Sequence, residues 1–203
     1  MQQGKGLWPW GRRGGEAKAA AGDPAGVPTP TGAMQFTPVW PDPDRGVREE
    51  VKAFWAKLGV LPPGVSGEER AAQLCVVGHV RGRLAAVSSA EIADFNPLRQ
   101  RFAMFRALIA PEHRSLPAIW GLARAAHAQL EAWSLAHPEE EVMGMAAIIE
   151  NPAILKLKGP PAWPMRPGDP PMSGLVLMGY TERNEQVRVS WFNHARVGGT
   201  GAA

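Results

Sequence analysis

The amino-acid sequence predicts an α/β fold: a mixed, mostly antiparallel central sheet with helices on both faces. Three observations carry this expectation. Strand-like runs and amphipathic helices follow the order β-α-α-β-β-β-α-β-α-β-β over residues 34–197. The run Val142–Ile149 is nearly all apolar, as a strand covered on both faces requires. The stretch Leu98–His137 reads as a strand, a short turn and a long helix. In such a βα unit the first-turn amides of the helix are unpaired and lie at the positive end of its dipole, which makes an anion site.

Met34–Trp40 alternates and predicts the first strand, with Pro38 suited to an edge or a strand end. A helix follows over Arg45–Leu58, where Val47, Val51, Phe54, Trp55 and Leu58 recur at helical spacing and Gly59 stops it. Ser66 and Glu69 form a capping box for a short helix over Gly67–Ala72. Gln73–Val80 and the run from Arg83 are strands joined by a tight turn, the second continuing toward Phe95 until Asn96-Pro97 breaks it. The strand Leu98–Ile109 and the turn Ala110–Ser115 lead into the long helix. There Ile119, Leu122, Ala123, Ala126, Leu130 and Trp133 make one apolar stripe, with Ser115 as cap and Pro117 tolerated in the first turn. Glu139–Glu141 reads as a solvated loop, Asn151–Lys158 as a short helix, and Gly159–Ser173 as a Pro/Gly-rich loop. The chain closes on a hairpin, Leu175–Thr181 and Gln186–Val197, in which Val187, Val189 and Trp191 alternate with Arg188 and Ser190.

Composition narrows the class. At 203 residues the chain can build one core without disulfides or metal. Its single cysteine, Cys75, excludes an internal disulfide and a Cys-based zinc site, and its apolar setting predicts a core thiol. No apolar run reaches the ~20 residues of a membrane helix, and no leader-like apolar run opens the chain, so a cytoplasmic protein is expected. The net charge of +3 is concentrated in residues 1–33, where Lys5, Arg12, Arg13 and Lys18 face Glu16 and Asp23. That Gly/Ala/Pro-rich segment reads as a disordered tail, 34–198 as the domain and 199–203 as a flexible end. Trp8-Pro9-Trp10 with Arg12-Arg13 suggests a docking peptide for a partner or nucleic acid, against the plainer reading of a loose terminus.

The order of elements resembles the GNAT superfamily of N-acetyltransferases, over about residues 34–197. Ile109-Ala110-Pro111-Glu112-His113-Arg114 is similar to that family's entry into its acyl-CoA loop. The long helix follows it. Asn151, Ile154 and Leu157 are similar to the segment after the next strand, and Gly179-Tyr180 to the family's terminal hairpin. The resemblance implies a splayed parallel strand pair, with the acyl-CoA arm beside Phe105–Ile109, hence Leu108 and Ile109. It places the pyrophosphate on His113, Arg114, Ser115, Leu116, Ala118 and Ile119, and Asn151 near the donor. It places the acceptor amine near Ser89, Glu91, Glu150 and Asn151. Arg114–Ile119 contains no glycine where the family's loop has two, and Lys158 stands where the family has its tyrosine. A shifted match would use Gly121.

Amide formation from an amine and a thioester needs a base, an oxyanion donor and a proton for the leaving thiolate. Glu150, at the end of the apolar strand, is the first candidate base, desolvated there, against the plainer reading of a surface or capping carboxylate. Glu91, with Asp94, is the next pair. Tyr180, the one tyrosine, is the candidate acid, against a packing role. His79 and His127 read as structural. Arg99, Arg101 and Arg106 read as a charged edge face or an oxyanion contact, and Trp163 and Met165 as an apolar lid or a packed loop.

The resemblance implies an N-acyltransferase that uses acetyl-CoA or another acyl-CoA, without metal, on an amine of a small molecule or macromolecule. A homodimer is compatible with it. Two other classes stay open: a catalytically degenerate binding module, and an acyltransferase fed by a carrier-protein thioester or an aminoacyl-tRNA.

Overall fold

The computed structural model describes residues 33–61, 63–155, 161–163 and 174–196. The tail 1–32, the end 197–203, Lys158 and Met165 lie outside the described residues. The chain divides into two compact units, Met1–Ala90 with Arg106–Ala126, and Glu91–Phe105 with His127–Ala203. Of the three boundaries, 90/91 falls between two strands, 105/106 within a strand and 126/127 within a helix.

The first unit holds β1 (Gln35–Pro38), α1 (Arg45–Leu58), α2 (Gly67–Ala72), β2 (Leu74–Val80), β3 (Arg83–Ser89), the end of β5 (Gln100–Ile109) and the start of α3 (Leu116–Ala136). Its strands pair antiparallel in the order β1, β2, β3, β5. Asp44 caps α1 by accepting the Val47 N–H at 3.0 Å, and Gly59 ends it with φ 61°, where glycine carries no Cβ penalty. The face so fixed buries Val51, Phe54 and Trp55 against Ala71, Leu74, Val77, Val87 and Ala110. Each large side chain contributes roughly 1.5–3 kcal/mol by leaving water. Ser88 fills the bulge in β2: its Oγ accepts the Val76 N–H at 3.1 Å and donates to the Val76 carbonyl at 3.3 Å.

The second unit holds β4 (Ile92–Phe95), the first part of β5, the rest of α3, β6 (Val142–Ile149), the short α4 (Pro152–Leu155), β7 (Ala162–Trp163), β8 (Leu175–Tyr180) and β9 (Gln186–Trp191). β4 pairs antiparallel with β5, β5 parallel with β6, and β6, β9, β8 and β7 follow antiparallel. The β5–β6 pair is the parallel one expected from a strand–helix–strand crossover. Phe102 joins Phe95 and Trp191 at ring distances of 5.2 Å, and with Met145, Val187 and Val189 it is fully buried. The fold class is therefore as expected, a mixed and mostly antiparallel sheet with one parallel pair, and helices.

Four local readings change. The strand from Arg83 does not run on to Phe95: β3 ends at Ser89, and β4 begins after the Ala90 N–H turns to the Gln73 carbonyl and the Glu91 carbonyl to the Met104 N–H, each at 2.8 Å. Glu139–Glu141 is not wholly solvated. Residues 138–140 form a 3₁₀ turn, and Glu140 meets Arg101 at 2.7 Å with both side chains largely covered. Arg101 is paired with β4 on one side and β6 on the other, so it is not on an edge, Arg106 begins the one-sided half of β5, and Arg99 precedes the strand with φ 51°. The Pro/Gly segment after α4 contains a two-residue strand, β7, stitched to β8 by Trp163↔Leu175 and Ala162↔Val176.

Two glycines are steric necessities of different severity. A Cβ on Gly144 would run into the Ser190 carbonyl oxygen and lie 3.0 Å from the Trp191 Cα, both backbone atoms. A Cβ on Gly121 would lie 2.5 Å from the Phe36 ring, the far end of a half-buried side chain. Gly144→Ala is expected to cost about 1–3 kcal/mol or more, because backbone cannot move aside cheaply. Gly121→Ala recovers up to ~1 kcal/mol of helix propensity and is expected to cost less. Urea unfolding of both variants, and of Gly121→Ala combined with Phe36→Leu, measures the order.

Cys75 is fully buried, and burial pushes its thiol up to about 12. Its ordinary value of 9.0 returns on unfolding, so the neutral thiol's contribution is complete below pH 9 and is lost as pH rises toward 12. Native protein at pH 8 is expected to resist iodoacetamide, and protein unfolded in urea to be alkylated at once, as read by mass spectrometry.

Candidate functional site

In the first unit the expected donor region begins on β5. Parallel pairing of β5 with β6 stops at Phe105↔Ala147. Beyond it, residues 106–109 pair with β3 along one edge, and no strand of the described residues pairs with the other. The Ala110 N–H donates to the Ala85 carbonyl at 2.8 Å, so by alternation Ala107 and Ile109 turn their N–H and C=O groups to the open edge. The Ile109 carbonyl is taken by Arg114, whose Nε donates to it at 3.1 Å. That bond folds the Arg114 side chain back along the strand it follows. Leu108, in contrast, packs its side chain onto the α1 core cluster and turns its backbone groups to β3, whereas Ile109 is buried and can offer a ligand only its backbone.

The strand passes through a 3₁₀ turn, Pro111–His113, into α3. Ser115 caps the helix as expected: its Oγ accepts the Ala118 N–H at 3.3 Å and its carbonyl the Ile119 N–H at 3.0 Å. This satisfies two of the amides assigned to a pyrophosphate. Pro117 has none. Among residues 116–119 only the Leu116 N–H is left, beside a side chain 54% exposed. His113 is half-buried and Arg114 exposed next to it. The start of α3 therefore offers one amide and two basic side chains rather than a glycine-lined cradle. Gly121, which the shifted match would use, lies inside α3 as its place within the span of the apolar stripe implies, and the missing side chain makes room for Phe36.

The second unit carries the candidate acid–base groups. Glu150 follows the last residue of β6 and is exposed, not desolvated as expected, because the strand ends one residue earlier. Ile149 pairs with Gln186 and Gln186 with Tyr180. Glu150 and Tyr180 thus end β6 and β8 at one end of the sheet, about two strand spacings or ~10 Å apart. Tyr180 is 52% exposed, so packing is not its role. Asn151 caps α4, its carbonyl accepting the Ile154 and Leu155 N–H groups at 3.0 Å. Glu91 is half-buried beside Met104, which pairs with Ala146, roughly 15 Å from Glu150 by strand spacings. The two carboxylates do not form a dyad. Asp94 is exposed, opposite Arg101.

The same end of the sheet holds a group that sequence reasoning passed over. Arg188 lies on β9 between Ala147 and Leu177, two residues back from the Gln186 row, and is only 3% exposed. Burial lowers its pKa, and the nearby Tyr180 oxygen acts in the opposite sense. In the sequence it alternates with Val187 and Val189 and so reads as a solvent-facing residue.

The remaining polar groups have structural work. His79 Nε2 lies 3.2 Å from Glu50. His127 is pushed down by burial and meets the Trp191 carbonyl at 3.3 Å. Ser134 donates to the Val142 carbonyl at 2.9 Å, so its 3.2 Å contact with His194 does not activate a nucleophile. A cavity of about 550 Å³ bordered by Asp42, Arg45, Arg48, Glu49 and Glu68 contains none of the expected site residues. Among the described residues no three His, Cys, Asp or Glu side chains gather as metal ligands, and no helix is long and apolar enough to cross a membrane.

No family model and no curated protein matches the chain. Among solved structures it is similar to an acetyltransferase of the GNAT family from Streptococcus pneumoniae, 11% identical, with 77% of this chain and 96% of that one covered at a TM-score of 0.47. It is similar to a putative acetyltransferase from Salmonella typhimurium solved with acetyl-CoA, 12% identical, with 83% and 99% covered at a TM-score of 0.49. It is also similar to the spermidine/spermine N-acetyltransferase of Vibrio cholerae, 15% identical, with 77% and 91% covered at a TM-score of 0.42. At these identities and scores the likeness is one of chain course alone.

Proposed function

We propose that the protein is an N-acyltransferase that takes its acyl group from an acyl-CoA, acetyl-CoA in the simplest case. One observation carries the reading: an open β-strand edge, with the Ala107 N–H and C=O and the Ile109 N–H turned outward, that leads through a basic turn into a helix start. An acyl-CoA arm is a chain of amides, and an open strand edge is the surface that pairs with one. The charged end of the donor meets His113, Arg114 and the Leu116 N–H. The Arg114 guanidinium and the His113 ring there replace the loop amides that Ser115 and Pro117 remove.

Acyl-CoA supplies, when bound, an activated thioester whose acyl group passes to the amine nitrogen as the C–S bond breaks. Glu150, exposed at the end of β6, takes the proton from the ammonium directly or through water, with Glu91 as the second candidate. Tyr180 returns a proton to the thiolate. A second reading has its own observation. With one amide left at the start of α3, the fold serves as a binding module without transfer, or takes a donor that lacks the pyrophosphate, such as a carrier-protein thioester.

Thermal denaturation with acetyl-CoA and with free CoA separates these. Ligand at 100 times its Kd is expected to add about 2.7 kcal/mol of stability. Arg114→Ala is expected to remove most of that gain without changing the ligand-free melting temperature. No shift with millimolar CoA rejects the acyl-CoA reading. Glu150→Gln is expected to lower the rate of thiol release about 10²-fold while acetyl-CoA binding stays intact; an unchanged rate removes Glu150 as base.

A further inference from the structure

Strand β9 carries two different rows. Val187, Val189 and Trp191 form one; Gln186, Arg188 and Ser190 form the other. The second row is polar and yet buried, at 8, 3 and 0% exposure. A guanidinium taken out of water is costly unless an anion compensates it. Every described partner of Arg188 is neutral. Its Nε donates to the Gln186 side-chain oxygen at 2.8 Å, and its Nη1 donates to the Pro161 and Leu175 carbonyls, both at 3.0 Å. Its Cζ lies 3.3 Å from the centre of the Trp163 ring.

A guanidinium has five N–H donors. These contacts use three. The two on Nη2 meet no acceptor among the described residues. Two residues along the same face, the Ser190 Oγ is buried with no hydrogen-bond partner. Three hydrogen bonds and a ring contact hold the cation in one orientation, and the cross-links it makes to β7 and β8 would be served by a neutral amide. Among the described residues no anion answers the charge. With Nε already bonded to Gln186, the side-on, two-pronged approach to a carboxylate is closed, and the Nη2 end is the approach left.

We propose that Arg188 is an anion anchor, and that the acceptor amine carries a carboxylate held end-on by its Nη2. The acceptor is then a small amino acid or a close relative rather than a polyamine. The word acceptor rests on the acyltransferase reading above; the anion site does not. Arg188 sits two residues, or ~7 Å, back from the row that ends at Tyr180 and Ile149, so an amine one or two bonds from the carboxylate lies toward the proposed base and acid.

The test uses the full chain without CoA: calorimetric titration and thermal shift with the standard L-amino acids and their carboxamides. At least one acid is expected to bind about tenfold more tightly than its amide. In Arg188→Gln, checked by circular dichroism and cooperative unfolding, that preference is expected to fall below about twofold, and in Arg188→Lys to survive in part. Equal binding of acid and amide, no binding by any acid at millimolar concentration, or an unchanged preference in Arg188→Gln overturns the proposal. The acid–amide comparison on the unaltered chain decides even if Arg188→Gln fails to fold. An acid preference without any acetyl-CoA shift keeps the anion site and drops the transferase; an acetyl-CoA shift without acid preference does the reverse.

Discussion

The rest of the structure depends on a change of partner within one strand. β5 is paired on both sides up to Phe105 and on one side afterwards. A β-strand's backbone groups must be satisfied by something, because an unmade hydrogen bond costs as much as a made one contributes. In the interior of a sheet a neighbouring strand does this. Past Phe105 no described strand does, and Ala107 is exposed there. The division of the chain into two units falls at the same residue, between Phe105 and Arg106. An interior strand that gives up one partner midway exposes a row of amide groups that would otherwise promote edge-to-edge association. A ligand with amides of its own removes that liability while it is bound.

The element that follows shows how sequence detail modifies a general property of helices. Any helix start carries a positive dipole end and unpaired amides. In α3 those amides are spent locally: Ser115 takes the Ala118 and Ile119 groups, and Pro117 has none. The dipole persists and the donors do not. What recognises an anion there must come from His113 and Arg114, and Arg114 is aligned by its bond to Ile109. A glycine loop wraps a phosphate with backbone; this turn can only meet one with side chains, which are longer, more mobile and more sensitive to salt.

Much of this was legible in the sequence because local signals and burial agree. The Ser66 cap, the Gly59 stop and the Ser115 cap each place an element boundary by a hydrogen bond between near neighbours. Val142–Ile149 declares its burial by being apolar throughout. What was not legible depends on contacts between distant residues. The end of β3 at Ser89 is set by Gln73 and Met104, which no local pattern announces. Gly121 reads as a helix position with no evident need for glycine and is one half of a packing contact with Phe36, eighty-five positions earlier. Glu150 was expected to be desolvated because a buried strand precedes it, but desolvation stops with the strand. Arg188 was missed for the opposite reason. Alternation along β9 marks it as solvent-facing, whereas in the fold Pro161, the Trp163 ring on β7 and the Leu175 carbonyl lie against it.

That last case separates two kinds of buried polarity in this protein. Ser88 and Ser134 are buried and fully employed: one fills a bulge, the other ties α3 to β6, and each could be explained with no ligand in mind. Gln186 is spent on Arg188, but Arg188 and Ser190 are buried with capacity left over among the described residues. Stability alone selects against that state, since an apolar residue in the same place would cost less to bury. A row that keeps a cation, a ring contact and an unbonded hydroxyl under cover retains interactions that no described residue completes. The exposed Glu150 and Tyr180 at the end of the same strands are ordinary by comparison. Chemistry placed there would draw its selectivity from the buried row behind it, not from the reacting groups themselves.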